Sequence, residues 1–217
     1  GYVLDTDSAF ARAFAQSGKT MELLSVDIDS DGDLDLVQAI EWGSPAIWIF
    51  GEDGLSRAQG TLPESDLKGI WRSVASGDFN GDGRVDLVFG NLGQNTKYDA
   101  SIDAPAALFS QVKMGRGANV GAYTRNGRLL PVESRNIVFK QFPQEVRRTT
   151  KSFLEYARMT VEEIFPNLAS DFTRLDLVEC RSLVLFQSAD GGFDSVPLPR
   201  LAQTGVATDL LVADFNR

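Results

Sequence analysis

Residues 25–37 read Ser25-Val26-Asp27-Ile28-Asp29-Ser30-Asp31-Gly32-Asp33-Leu34-Asp35-Leu36-Val37. Residues 76–88 read Ser76-Gly77-Asp78-Phe79-Asn80-Gly81-Asp82-Gly83-Arg84-Val85-Asp86-Leu87-Val88. Counted from Asp27 and Asp78, both place oxygen-bearing side chains at positions 1, 3, 5 and 9 and a glycine at position 6. The two copies are offset by 51 residues, and internal periods of this size mark propellers, solenoids or arrays. Such a density of aspartates is strongly repulsive unless a cation neutralises it. Calcium takes about six to eight oxygen ligands in a flexible shell, and a glycine after position 5 permits the sharp turn that wraps them around the ion.

In the first loop Asp27, Asp29, Asp31 and Asp35 are expected to supply side-chain oxygens, and Asp33, at position 7, its backbone carbonyl. In the second, Asp78, Asn80, Asp82 and Asp86 do the same. Arg84 holds position 7 there, and since a cationic side chain cannot ligate, that position must use its carbonyl. Two calcium sites are therefore expected. Magnesium suits the pattern less, because it prefers to keep its waters. An EF-hand fits poorly: its twelfth position needs a bidentate Glu, and Gln38 and Phe89 stand there. Strand-like residues rather than a helix follow each loop, which also disfavours a dockerin-type loop. The plainer alternative is a pair of solvated Asp/Gly turns.

The whole chain has 217 residues and a net charge of −9, from 21 Lys and Arg against 30 Asp and Glu. Nucleic-acid binders carry an excess of cations, so nucleic acid is not an expected partner. Eight of the acids lie in the two loops, and without them the chain is close to neutral. There is no histidine, which removes His general bases, Ser-His and Cys-His dyads and nearly every catalytic zinc site. Cys180, the single cysteine, cannot form an internal disulfide; before a strand it reads as a small buried hydrophobe. No apolar run approaches the roughly 18 residues of a membrane span, so no transmembrane segment is expected.

Apolar runs bounded by Asp/Gly turns predict β-hairpins: Leu34 to Ile40, Ile47 to Phe50 with the turn Gly51-Glu52-Asp53-Gly54, Val85 to Gly90, and Leu183 to Phe186 with the turn before Phe193. From about Glu145 to Phe165 the pattern changes. Phe153, Ala157, Val161 and Phe165 recur every fourth residue, Ser152 with Glu155 and Thr160 with Glu163 match capping boxes, and Pro166 stops the run. One or two helices inserted between strands are predicted. Arg147, Arg148 and Lys151 read as a solvated helix face. Asp214-Phe215-Asn216-Arg217 copies Asp78-Phe79-Asn80-Gly81 except at its fourth residue, so a third copy is expected to begin there, in a piece of a longer repeat protein.

On these residues the chain resembles the FG-GAP/VCBS-repeat β-propellers of integrin-α-like architecture. Glu41-Trp42, Trp71-Arg72-Ser73-Val74 and Gly90-Asn91-Leu92-Gly93-Gln94-Asn95-Thr96 extend the likeness. The last run is similar to a stretch of large bacterial VCBS-repeat proteins, including those with ASPIC/UnbV domains. The resemblance implies blades of four antiparallel strands around an axis, calcium in loops on one rim, an extracytoplasmic location (secreted, periplasmic or outer-surface), and adhesion, assembly or glycan contact. Val112-Lys113-Met114-Gly115-Arg116-Gly117-Ala118-Asn119 departs from it, and is expected to be a loop that has lost its metal.

The expected fold is mainly β: a partial β-propeller of antiparallel blades with a short α-helical insertion. A single segment, 1–217, is expected to hold calcium-loop blades at about 22–60 and 72–100, a degenerate blade at about 105–140, the insertion at about 143–168 and a further blade at about 175–217. The expected function is a calcium-binding scaffold or interaction module contacting other protein subunits or surface glycans, not an enzyme. The alternatives are a structural subunit of a surface assembly and a propeller-type carbohydrate-active enzyme, the latter disfavoured because no isolated carboxylate pair stands out. Trp42, Trp48 and Trp71 are candidates for glycan stacking, with burial in the core as the plainer reading. Asn91, Gln94, Asn95 and Tyr98 form a polar loop that either contacts a ligand or caps a blade.

Overall fold

Apolar runs between Asp/Gly turns give a chain that is mainly β, and its strands pair throughout in antiparallel sheets. The computed structural model describes residues 8–113 and 116–214. Two compact units divide the chain: residues up to Asn95 together with those from Cys180 onward, and Thr96–Glu179. The second is an insertion in the sequence of the first.

In the first unit, strands β1 (Lys19–Val26), β2 (Asp35–Gly43), β3 (Ala46–Gly51) and β4 (Gly54–Arg57) follow one another across a sheet in chain order. A short β5 (Gly69–Ile70) pairs with the end of β2. The first acidic loop joins β1 to β2. Helix α1 (Ala9–Gln16), which the sequence reading did not foresee, lies against this sheet. Ser8 caps it by accepting from the Ala11 N–H at 3.0 Å, and Phe10 and Phe14, four apart, both pack on Trp48.

The second sheet holds β6 (Ser73–Gly77) and β7 (Asp86–Gly90), joined by the second acidic loop. Its other two strands come from beyond the insertion. They are β12 (Leu183–Gln187) and β13 (Phe193–Pro197), in the order β13-β12-β7-β6. Leu183 faces Phe89 and Leu185 faces Leu87 in register. The hairpin expected in a separate blade at 175–217 therefore completes the blade that begins at 72. Strands commonly pair with their nearest neighbours in the chain, and here the insertion separates the partners β7 and β12. Val37, Ile47, Trp71, Leu87, Phe89, Leu183 and Leu185 bury a common core between the two sheets. Every residue of β7 is buried, as expected of a strand covered on both faces. The second sheet has four strands and the first has four with the short β5 added, the form of propeller blades, and among the described residues they do not close a ring.

The second unit contains β8 (Ala106–Lys113), β9 (Arg116–Arg125), β10 (Arg128–Pro131) and β11 (Thr173–Leu177), in the order β10-β9-β8-β11. The stretch 112–119, read as a metal loop without its metal, is mostly paired strand: Val112 faces Gly117 and Lys113 faces Arg116. Residues 114–115 lie outside the described residues.

Five short helices fill the space between β10 and β11 instead of one or two: α2 (Arg135–Gln141), α3 (Pro143–Thr149), α4 (Phe153–Tyr156), α5 (Val161–Ile164) and α6 (Leu168–Asp171). The breaks follow from chemistry the sequence carries. Pro143 starts a new helix after the non-helical Phe142, and Ser152 and Thr160 each begin another. Thr160 and Glu163 form a complete capping box. Ser152 also caps, but the Glu155 carboxylate turns to the Lys151 N–H. Because the helices are interrupted, the every-fourth-residue pattern does not trace one face: Val161 and Phe165 are buried, while Phe153 is 60% exposed. Phe142, Phe165 and Phe172 pack together in the core of this unit.

Candidate metal centre

Each acidic loop bridges the first two strands of a blade-like sheet, and position 6 is in the left-handed region in both, with φ of 98° at Gly32 and 83° at Gly83. Position 4 is left-handed too, occupied by Ser30 (φ 62°) in loop 1 and Gly81 (φ 79°) in loop 2. The chain thus coils back on itself, and its aspartates are drawn to one side.

In loop 1, Asp27, Asp29 and Asp35 bring carboxylate oxygens within 4.8 Å of one another. Asp31 and Asp33 are not part of that group. Asp27 Oδ2 accepts from the Gly32 N–H at 3.1 Å. Its Oδ1 is buried with no hydrogen-bond partner. A buried carboxylate oxygen without a donor is expensive, and among the described residues this is one of two such side-chain atoms. The Asp29 carboxyl is pushed above the usual carboxylate range, first by desolvation and then by the charges of Asp31, Asp35 and Asp27. Both facts describe a place short of positive charge. The donor set, all oxygen and all anionic, fits a hard divalent cation. Asp27, Asp29 and Asp35 would hold it.

Loop 2 solves the same problem internally. Asp78 accepts from the N–H groups of Gly81 (2.7 Å), Asp82 (3.1 Å) and Gly83 (2.9 Å). Those backbone donors, Gly83 first, hold its carboxyl below the usual range. Asn80 donates to Asp82 Oδ2 at 2.9 Å, and the Arg84 guanidinium pairs with the same oxygen. Asp78, Asp82 and Asp86 do not converge as the loop 1 carboxylates do. The side chain of Arg84, set aside in the sequence reading because it cannot ligate, is thus the positive charge of this loop.

Position 9 has a role the ligand pattern did not reveal. Asp35 and Asp86 are both fully buried. Asp35 Oδ2 accepts from the Ile28 N–H and Oδ1 from the Phe50 N–H, each at 2.8 Å. Asp86 accepts from the Phe79 and Gln187 N–H groups, each at 2.9 Å. Each therefore ties the start of its own loop to the third strand of its sheet. Burial following position 9, where Leu36-Val37 and Leu87-Val88 open a strand, was the available signal.

Residues 15–89 match the FG-GAP-like repeat family. The match spans both loops, the whole first sheet, β6 and all of β7 but its last residue. No curated protein and no solved structure matches the chain. An FG-GAP-like repeat is a β-propeller-type interaction unit, in keeping with the two antiparallel sheets of the first unit.

The other singled-out residues take their plainer roles. Trp48 and Trp71 are 1% exposed and belong to the core; Trp48 Nε1 donates to Gln38 and Trp71 Nε1 to the Leu67 carbonyl. Trp42 is half-buried, with left-handed backbone. Asn91 is fully buried and fastens three segments: its Oδ1 accepts from the Ile70 N–H, its Nδ2 donates to the Arg181 carbonyl, and its N–H donates to Ser182. Gln94 ties in through its backbone N–H to the Gln203 carbonyl. Cys180 is buried. Arg147, Arg148 and Lys151 are exposed. Residues 215–217 of the expected third copy lie outside the described residues.

Proposed function

We propose that this chain is a calcium-stabilised β-propeller module that displays binding surfaces for other proteins or glycans outside the cytoplasm, and that it is not itself an enzyme. The carrying observation is the partnerless, buried Asp27 Oδ1 within the three-carboxylate group of loop 1. Calcium there neutralises repelling aspartates and ties β1 to β2. In loop 2, with Asp78, Asn80, Asp82 and Asp86 around it, calcium must draw Asp82 away from Arg84, so this second site is the weaker. Extracellular calcium modules work at about 10⁻⁴–10⁻³ M, which supports placing such loops where calcium is plentiful. The likeness of residues 90–96 to large bacterial VCBS-repeat proteins belongs to the same reading, as does assembly with other subunits.

Thermal unfolding with calcium, magnesium or a chelator tests it. Binding to the native state alone raises the melting temperature by mass action. A calcium-specific rise, largely lost in Asp27→Asn/Asp29→Asn, is the expected result. No rise in the unaltered chain overturns the metal assignment and leaves ordinary turns.

A further inference from the structure

A cavity of about 590 Å³ opens in the first unit beside loop 1. This size lies within the roughly 300–1,000 Å³ of small-molecule sites. Its lining combines three kinds of group. Ile47, Ile49 and Phe193 supply an apolar wall, Thr61, Ser188 and Asp190 supply hydrogen-bonding groups, and Asp29 and Arg84 bring opposite charges.

The charged members are held in place. Arg84 Nε donates to the Gln187 carbonyl at 2.9 Å, and one Nη pairs with Asp82. The other Nη makes no hydrogen bond among the described residues. Asp190 is braced by the Ser188 hydroxyl and the Gly192 N–H, and these donors keep its carboxyl below the usual range. It is therefore an ionised acceptor, suited to hydroxyl donors. Asp29 belongs at once to this lining and to the three-carboxylate group. Four of the six oxygens in that group already accept backbone N–H bonds. Since calcium takes about six to eight oxygens, positions remain for oxygens from a ligand in the cavity.

We infer that the cavity binds a carboxylated sugar, a uronate, whose carboxylate meets Arg84 and whose hydroxyl oxygens reach the loop 1 cation and Asp190. This rests on the reading of loop 1 as a calcium site. A guanidinium selects the carboxylate, an ionised aspartate selects hydroxyls, and the apolar wall accepts the C–H face of a sugar ring. A neutral sugar offers no anion to the remaining Nη of Arg84, and a simple carboxylate offers no hydroxyl to the second carboxylate oxygen of Asp190.

The experiment is calorimetric titration with digalacturonate, with calcium and with chelator, and with a neutral galactose disaccharide as control. Calcium-dependent binding of digalacturonate alone is expected. Arg84→Gln is expected to weaken it by about tenfold, as for one lost charge-assisted bond. Ala189→Trp, on the cavity lining away from both acidic loops, is expected to block binding while the calcium-induced rise in melting temperature persists. If that rise occurs in the unaltered chain and digalacturonate does not bind, the cavity inference fails and the loop reading stands. If no rise occurs, the loop reading fails, and this inference with it. Binding that survives the chelator, or equal binding of the neutral disaccharide, also overturns the inference.

Discussion

In the first sheet 15 residues separate Asp35 from Phe50, whose N–H it holds; in the second, 101 separate Asp86 from Gln187. The hydrogen bonds are nevertheless the same to within 0.1 Å. A loop-and-two-strand unit thus defines where its third strand must lie, whatever the chain does in between. A hairpin connects β2 to β3, and a whole unit of sheet and helices connects β7 to β12. Loop-closure entropy grows only slowly with length, so a folded insertion at a hairpin tip adds little cost once the buried carboxylate and the apolar register fix the strand.

The loops differ where the fasteners agree. Loop 1 leaves an oxygen of Asp27 without a donor, while loop 2 surrounds Asp78 with three N–H groups and answers Asp82 with Arg84. Both have left-handed backbone at position 4, but Ser30 stands there in loop 1 and glycine in loop 2.

The largest expected effect comes from the fasteners. Asp35→Ala and Asp86→Ala each take the acceptor from two N–H groups, one buried and one part-buried, and should each cost about 2–5 kcal/mol in urea denaturation. A much smaller cost for Asp86→Ala than for Asp35→Ala would break the equivalence of the two sheets. Next comes Asp29→Asn, whose sign depends on the ion. Because its folded carboxyl is pushed up, the charged form opposes folding without metal, and the amide should raise the melting temperature in chelator. In calcium the same change should lower it. A change of the same sign in both conditions separates Asp29 from the ion. Ser30→Gly should stabilise by about 0.5–1 kcal/mol, the relief of a left-handed L-residue less the entropy glycine adds to the unfolded chain. Gly81→Ser should do the reverse.

The smallest effect is acid dependence in loop 2. The folded carboxyl of Asp78 lies below its unfolded value of about 3.9. Its stabilisation is therefore present above that value and lost as the pH falls through the folded one. Asp78→Asn should flatten the acid limb of a denaturation curve below about pH 4. An unchanged limb would mean that those backbone donors do not favour the charged carboxylate.

Much of this was legible in the chain itself. Repetition of Asp-x-Asp/Asn-x-Asp-Gly-x-x-Asp located both loops, and apolar runs bounded by Asp/Gly turns located the strands that follow them. Pairing was not legible, because nothing local to Leu183–Gln187 says that Leu87 is its neighbour across an insertion. Nor could spacing tell which aspartate of the group also fastens the sheet: Asp35 and Asp29 look alike as letters, yet one is sealed against backbone donors and the other is exposed. The capping residues Ser152 and Thr160 were recognised as caps. That they divide the segment into separate short helices depends on the backbone between them.

A calcium titration of the unaltered chain, of Asp27→Asn/Asp29→Asn and of Asp82→Asn tests the central claim most directly. Calcium is expected to bind the unaltered chain, the loop 1 pair of substitutions to remove the tightest step, and Asp82→Asn to leave that step in place. Loss of the tightest step in Asp82→Asn with none in the loop 1 variant would contradict it, as would an unaltered chain that takes up no calcium.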